Sequence, residues 1–131
     1  MRLAVLPQRF VRVRVAAFLQ PSLQRALAGV PGPCVTAREG GDVVATLQED
    51  AWARLAPRFA SARVERGLRL IALEGGGDPA LVRRLAEAAA REGIAAVPLP
   101  AFHRDYLVVP EQDADRCLEI LARALQHAPR S

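Results

Sequence analysis

The sequence predicts an α+β fold in which two copies of a βαββα unit follow one another along the chain. Apolar runs of strand length alternate with segments whose apolar residues recur every three or four positions, as they do in helices. The same order of elements appears in both halves of the chain. The 131 residues, 51% of them hydrophobic, are enough to bury a core between antiparallel sheets and helices on one face.

The clearest predicted helix runs from about Asp78 to Glu92. Asp78 is a good N-cap, and Pro79 suits the first helical position because its missing N–H would have no helical partner there. Gly93 ends the helix, since glycine adopts the left-handed conformation at low cost. The apolar face is formed by Leu81, Val82, Leu85, Ala88 and Ala89. This spacing predicts an amphipathic helix with one buried side.

The rest of the second half is predicted to contribute three strands and a closing helix. The predicted strands are Leu68–Leu73, Ile94–Leu99 and Tyr106–Val109, with a turn at 102–105. The closing helix runs from about Gln112 to Gln126, and its buried stripe consists of Cys117, Leu118, Leu121 and Leu125. The order of elements in this half is therefore β-α-β-β-α.

The first half shows the same order with a shorter first helix. Its predicted elements are the strand Phe10–Ala17, the helix Pro21–Ala28, the strands Cys34–Arg38 and Val43–Leu47, and the helix Glu49–Ala56. Two further strands, Arg2–Leu6 and Ala62–Glu65, fall outside the two units. Because a βαββα unit leaves one sheet edge open, we expect Ala62–Glu65 to close the first sheet and Arg2–Leu6 to close the second.

Residue matches between the halves support an internal repeat. Segment 21–27 aligns with 79–85 so that Pro, Leu, Arg and Leu coincide, and segment 42–47 aligns with 105–110. We therefore place a first repeat at 1–66 and a second at 67–131, with the strand at 2–6 completing the second repeat.

Composition limits the classes of function. All 18 basic residues are arginine, and lysine and asparagine are absent. The loss of thermolabile asparagine fits a heat-adapted organism, and a GC-rich genome produces the same bias. The net charge of +4 is spread along the chain without a basic run, so we do not expect a nucleic-acid partner. No apolar run reaches membrane-spanning length and no signal peptide is evident, so we expect a cytoplasmic protein without a membrane partner.

The second half resembles the ACT domain family, in particular small tandem-ACT proteins related to the cytosolic arginine sensors. Four segments carry the likeness: Arg69–Gly75 as the first strand ending in Glu-Gly, Leu85–Ile94 as the end of the helix entering the second strand, Asp105–Val109 as the third strand, and Glu111–Leu121 as the closing helix. In the first half, Thr36–Thr46 fits the same template. The resemblance implies a ferredoxin-like fold and a regulatory role.

The resemblance also implies a site for a small ligand, such as an amino acid, at the start of the helix in the second repeat. The expected ligand-binding residues are Gly75, Gly76, Gly77, Asp78, Val97 and Pro98, with Gln20 and Ser22 in the equivalent loop of the first repeat. Exposed N–H groups at a helix start attract a carboxylate, and the Asp78 carboxylate could receive an ammonium group. The sequence departs from relatives at Ala80, where they carry Gly, and at Pro100 and Ala101, where they carry Ser-Thr.

Several of these residues also have a purely structural interpretation. Asp78 and Ser22 are both good N-caps, which would occupy their side-chain oxygens. Cys34 and Cys117 are interpreted as two buried thiols, a redox pair being the alternative. Two residues on a hairpin, His103 and Asp105, form an ordinary exposed pair rather than a catalytic one, and neither His103 nor His127 has neighbours at metal-ligand spacing. The aromatic residues Phe10, Phe18, Trp52 and Phe59 are expected to pack inside the protein.

Three functions remain open at this point. The first is a non-catalytic regulatory module that binds a small molecule, needs no cofactor and forms a homodimer. Ligand binding would shift the population between two packing arrangements of the units. The second is an RNA-binding module, or a purely structural oligomerisation module, on a ferredoxin-like sheet; Tyr106 is the single aromatic residue that the third strand offers for base stacking. The third is an enzyme, which we do not expect because nucleophile motifs and paired acidic motifs are missing.

Overall fold

The computed structural model describes residues 2–75, 78–101 and 104–126. The described elements, in chain order, are β1 Arg2–Val5, β2 Phe10–Ala16, α1 Gln20–Leu27, β3 Val35–Glu39, β4 Asp42–Gln48, α2 Glu49–Leu55, β5 Arg63–Glu74, α3 Pro79–Arg91, β6 Val97–Pro100, β7 Asp105–Pro110 and α4 Ala114–Gln126. The chain divides into two compact units, Gln8–Leu68 (the first unit) and Met1–Pro7 with Arg69–Ser131 (the second unit). The repeat limits proposed above, 1–66 and 67–131, stay a prediction.

The first unit is a sheet with two helices on one face. Its strands lie in the order β3-β4-β2-β5, and each neighbouring pair is antiparallel. Alternate residues of β2 and β4 point toward α1 and α2, as the two-residue period of a strand requires. The core of this unit consists of Val11, Val13, Val15, Leu23, Ala26, Leu27, Val43, Ala45, Leu47, Ala51, Trp52 and Phe59.

The second unit has the same strand order around its own core. β5 pairs with β1 on one side and β7 on the other, and β6 is the outer strand beside β7. Arg2 to Val5 pair in antiparallel register with Glu74 to Ile71, so the N-terminal strand completes this sheet. The core includes Ile71, Leu73, Val82, Leu85, Ala89, Ile94, Leu107, Val109, Cys117, Ile120 and Leu121, and the half-buried Leu3 and Val5 pack against it.

The strand β5 differs from the expectation of two separate strands at Ala62–Glu65 and Leu68–Leu73. It is continuous from Arg63 to Glu74. Gly67, which lies between the two predicted strands, has φ +69 within the strand, and the pairing with β2 shifts there by one residue. A glycine in the left-handed conformation accommodates such a β-bulge at low cost, so the strand bends instead of ending.

Other predicted strand boundaries also change, two of them as follows. The strand predicted at Ile94–Leu99 is shorter, Val97–Pro100, because the Ile94 N–H donates to Ala89 O at 3.0 Å and so closes the end of α3. Ile94 is nevertheless buried. The strand predicted from Cys34 begins at Val35 instead.

The aromatic residues follow the prediction except at one position. Phe10, Trp52 and Phe59 are buried, as expected. Phe18 is 81% exposed, so the prediction that it packs inside was wrong. It lies in a single 3-10 turn, Ala17–Leu19, in which the neighbouring Leu19 packs against the core and leaves Phe18 facing away from it.

No helix within the described ranges is long and apolar enough to cross a membrane.

Candidate ligand site

The glycine-rich connection that precedes α3 is where the sequence predicted a ligand. Gly75 is exposed in the turn after β5, whereas Gly76 and Gly77 lie outside the described residues. Asp78 is the N-cap of α3, and its Oδ1 accepts a hydrogen bond from the Ala80 N–H at 2.9 Å. The structural interpretation of Asp78 is therefore confirmed, and one of its carboxylate oxygens is already engaged in capping.

An open groove of about 320 Å³ lies directly beside this helix start. It runs between the first two turns of α3 and the edge strand β6. The lining residues are Pro79, Val82, Arg83, Pro98, Leu99, Pro100 and Asp105. Of the predicted site residues, Pro98 lines this groove and Asp78 is the immediate neighbour of its first residue. Val97 lies on the same strand, 39% exposed, without lining the groove.

Local sequence explains the apolar walls of the groove. Pro79 occupies the first turn of α3, where proline is tolerated, and Val82 follows it almost one turn later. Pro98 and Pro100 stand on the outer strand, where no further strand needs their missing N–H groups. Pro98 and Pro100, two residues apart, share one face of β6. Two short apolar surfaces therefore face each other across the groove.

Two opposite charges border these walls. Arg83 projects from the second turn of α3 and is exposed, whereas Asp105 is half-buried at the start of β7, where it pairs in register with Pro100. Within the described ranges, neither side chain makes a hydrogen bond or an ion pair. The nearby Glu74 and Arg104 are instead engaged with each other, with Arg104 NH1 3.4 Å from Glu74 Oε1. The groove thus offers one free cation and one free carboxylate.

The two site residues predicted in the first repeat are engaged elsewhere. Gln20 and Ser22 belong to α1 of the first unit. Gln20 Oε1 accepts a hydrogen bond from Arg38 NH1 at 3.0 Å, and Ser22 Oγ accepts one from Arg25 NH2 at 3.4 Å. The N-cap assignment of Ser22 was wrong, because the helix begins at Gln20 and places Ser22 inside its first turn.

Sequence reasoning missed most of the groove. Val82 is buried, as predicted, but it also lines the groove together with Arg83, which was not predicted as a site residue. Asp105 was assigned to the third strand and to a hairpin pair with His103, not to a ligand site. The sequence feature that could have predicted the groove is the pair of alternating prolines, Pro98 and Pro100. They form a rigid apolar surface on the strand that lines it.

The described part of the chain shows no cluster of metal-ligating side chains. No group of three His, Cys, Asp or Glu side chains lies close enough together there to hold a metal ion. His103 and His127, the two histidines considered above, lie outside the described residues.

The two cysteines are free thiols in different surroundings. Cys117 is fully buried in the second core, and Cys34 is half-buried. Burial, together with a smaller effect of the nearby Asp113 carboxylate, raises the pKa of the Cys117 thiol to about 11. Burial also raises the pKa of Cys34. Because the thiolate is the reactive form, both residues are poor nucleophiles near neutral pH.

The raised pKa of Cys117 predicts a loss of stability at alkaline pH. The folded protein holds this proton up to about pH 11, whereas the unfolded chain releases it near the ordinary value of 9.0. The contribution of the protonated Cys117 thiol to the free energy of unfolding is therefore complete below pH 9. It is lost as the pH rises toward 11, and the total loss is up to about 3 kcal/mol. Urea unfolding at several pH values should show a steeper alkaline decline for the wild type than for Cys117→Ala. Parallel declines in the two proteins would contradict the prediction.

Comparison with known proteins gives a clear result only at the level of structure. No protein-family model matches the chain, and no curated protein matches it. The chain is similar to the regulatory subunit of aspartate kinase from Thermus thermophilus in its ligand-free form, with 17% identity, a TM-score of 0.71, and coverage of 95% of this chain and 97% of that one.

Two other solved structures are similar over comparable lengths of this chain. One is a protein of unknown function from Vibrio cholerae described as a possible transport protein, with 19% identity, a TM-score of 0.66, and coverage of 92% of this chain and 87% of that one. The other is aspartate kinase from Clostridium acetobutylicum, with 10% identity, a TM-score of 0.74, and coverage of 93% of this chain and 33% of that one. Together with the strand order of the two units, these similarities confirm the predicted α+β fold with antiparallel sheets and helices.

Proposed function

We propose that this chain is a non-catalytic regulatory module that binds a small amino acid in the groove between α3 and β6. The observation that carries the proposal is the pairing of an apolar groove with one free cation, Arg83, and one free carboxylate, Asp105. A zwitterionic ligand needs both charges. Its carboxylate would meet the Arg83 guanidinium and its ammonium group the Asp105 carboxylate.

The lining also suggests which amino acids fit best. Pro79, Val82 and Leu99 surround the groove with apolar surface, which favours an apolar side chain by the free energy of removing it from water. A charged side chain would lose hydration in the same place without gaining a partner. The similarity to regulatory subunits of aspartate kinase supports a regulatory role, and the homodimer and the cytoplasmic location predicted from the sequence remain part of this proposal.

The RNA-binding alternative is less well supported. Base stacking on a ferredoxin-like sheet needs exposed aromatic rings on the strands. Tyr106, the aromatic residue of the third strand in the second unit, is only 7% exposed. The exposed Phe18 lies in a 3-10 turn and not on a strand.

Thermal unfolding in the presence of each of the twenty amino acids tests the proposal. An apolar amino acid should raise the midpoint temperature of the wild type. At a hundredfold excess over its dissociation constant, the ligand should increase the free energy of unfolding by about 3 kcal/mol. Asp105→Asn and Arg83→Gln should each weaken this binding by about tenfold or more, since each removes a charged partner.

Two matched variants serve as controls. Arg84→Gln changes the next residue of the same helix, which is exposed and outside the groove lining, and Asp115→Asn changes an exposed carboxylate on α4. Both should respond to ligand like the wild type. The proposal fails if no amino acid stabilises the protein, or if the groove variants respond as the controls do.

A further inference from the structure

A second concave surface lies on the sheet of the first unit, on the face away from its helices. It is a trough of about 290 Å³, bordered by arginine and glutamate side chains from β2, β3 and β5. Three arginines contribute to it: Arg12 and Arg14 on β2, and Arg63 on β5. The trough belongs entirely to the first unit and shares no residue with the groove described above.

The register of the strands brings two of these arginines face to face. Arg14 on β2 pairs directly with Arg63 on β5. Side chains at such positions lie on the same face of the sheet with their Cβ atoms about 5 Å apart, and like charges there repel one another. Arg12 stands two residues from Arg14, on the same side of β2. Three guanidinium groups therefore share a small area of one sheet face.

The three arginines are satisfied to different extents. Arg12 is held tightly, with Nε and NH2 donating to Glu65 Oε2 at 2.9 and 2.6 Å. Arg14 lies more loosely between two carboxylates, with NH2 3.6 Å from Glu39 Oε1 and NH1 3.4 Å from Asp42 Oδ2. These distances are longer than the roughly 2.8 Å of a strong charge-assisted hydrogen bond. Arg63 makes no hydrogen bond or ion pair with any residue in the described ranges.

We propose that the pair Arg14 and Arg63 forms a binding site for a small molecule that carries a phosphoryl group. An oxyanion placed between the two guanidinium groups offsets their repulsion and accepts hydrogen bonds from both, a geometry that arginine's planar fork favours. The carboxylates of Glu39 and Glu65 border the trough on either side. They repel a long polyanion such as RNA, which has to cross them, but leave room for a single phosphoryl group between the arginines.

Inorganic phosphate is the direct probe, added to the full chain at constant ionic strength with chloride as the reference salt. Constant ionic strength separates specific binding from general screening of the surface charges. Phosphate should raise the thermal midpoint of the wild type above that measured in chloride. Arg63→Gln should weaken phosphate binding by about tenfold or more, since one charged hydrogen-bonding partner is lost.

Arg66→Gln is the matched control, because Arg66 is an exposed arginine of the same strand outside the trough. It should bind phosphate like the wild type, and so should the groove variant Asp105→Asn. Equal binding by wild type and Arg63→Gln, or no difference between phosphate and chloride, would overturn the proposal. Binding of a short single-stranded RNA far more tightly than phosphate, lost in Arg63→Gln, would also overturn it in favour of a nucleic-acid surface.

Discussion

A chain that lacks the first strand and begins at Gln8 is expected to lose about 3 kcal/mol or more of stability in its second unit. Deletion removes the pairing of Arg2–Val5 with 71–74 and the apolar contacts of Leu3 and Val5 with the second core. Burying two such side chains contributes on the order of 1.5–3 kcal/mol each when burial is complete, and less when it is partial.

The deletion also removes the partner of a half-buried arginine. Arg69 donates from Nε and NH2 to the Leu6 carbonyl oxygen at 3.0 and 2.6 Å, and the Leu6 N–H donates to Leu70 O at 2.9 Å. Hydrogen bonds to charged groups contribute about 1.5–3 kcal/mol each. Without Leu6, the contact that the Arg69 guanidinium retains among the described residues is the Glu111 carboxylate, 4.0 Å away.

Hydrogen exchange resolves where the stability is lost. Amides of Ile71 and Leu107 in the second unit should lose protection, while those of Val13 and Ala45 in the first unit should lose less. A point variant, Val5→Asp, should reproduce the effect, and Arg2→Gln, which changes an exposed residue of the same strand, should not. Unchanged protection at Ile71 after deletion would contradict the assignment of this strand to the second core.

The second large effect is expected at Trp52. This residue is 1% exposed in the first core and lies against Phe59, with ring centroids 6.2 Å apart. Trp52→Ala should cost about 3–5 kcal/mol, because it leaves a large cavity in a packed core. Trp52→Phe should cost far less than the alanine substitution, because it leaves a smaller cavity and for a second reason specific to this site.

That reason is the indole N–H of Trp52, which is buried and has no hydrogen-bond partner among the described residues. An unsatisfied buried donor costs about 1–3 kcal/mol, and phenylalanine removes it while keeping one aromatic ring in place. Unfolding should be followed by circular dichroism, since Trp52 is the only tryptophan and its fluorescence disappears in both variants. Destabilisation by Trp52→Phe as large as that by Trp52→Ala would contradict this prediction.

The sequence predicted those elements whose signals are local. The N-cap Asp78, the proline after it and Gly93 after the helix set the limits of α3 correctly, because caps depend on a few neighbouring residues. The burial of Cys117 followed from helical periodicity, and the burial of Trp52 was expected from its aromatic side chain. These predictions needed no knowledge of what lies across the sheet.

Predictions that depended on distant partners were less accurate. Two strands were predicted on either side of Gly67, but pairing with β2 continues past it through a bulge. Ser22 suggested a helix start, but α1 begins two residues earlier. The groove was missed for the same reason, because Val82, Leu99 and Asp105 come from three elements that only the folded sheet brings together.

The most direct test of the proposed function is a titration of the uniformly ¹⁵N-labelled chain with the amino acid that stabilises it most, followed by heteronuclear NMR. We expect saturable shifts of the amides of Val82, Arg83, Leu99 and Asp105, which surround the groove. The same titration of Asp105→Asn should require a much higher ligand concentration. Shifts confined to the sheet face around Arg12 and Arg63, or no saturable shift anywhere, would contradict a ligand site between α3 and β6.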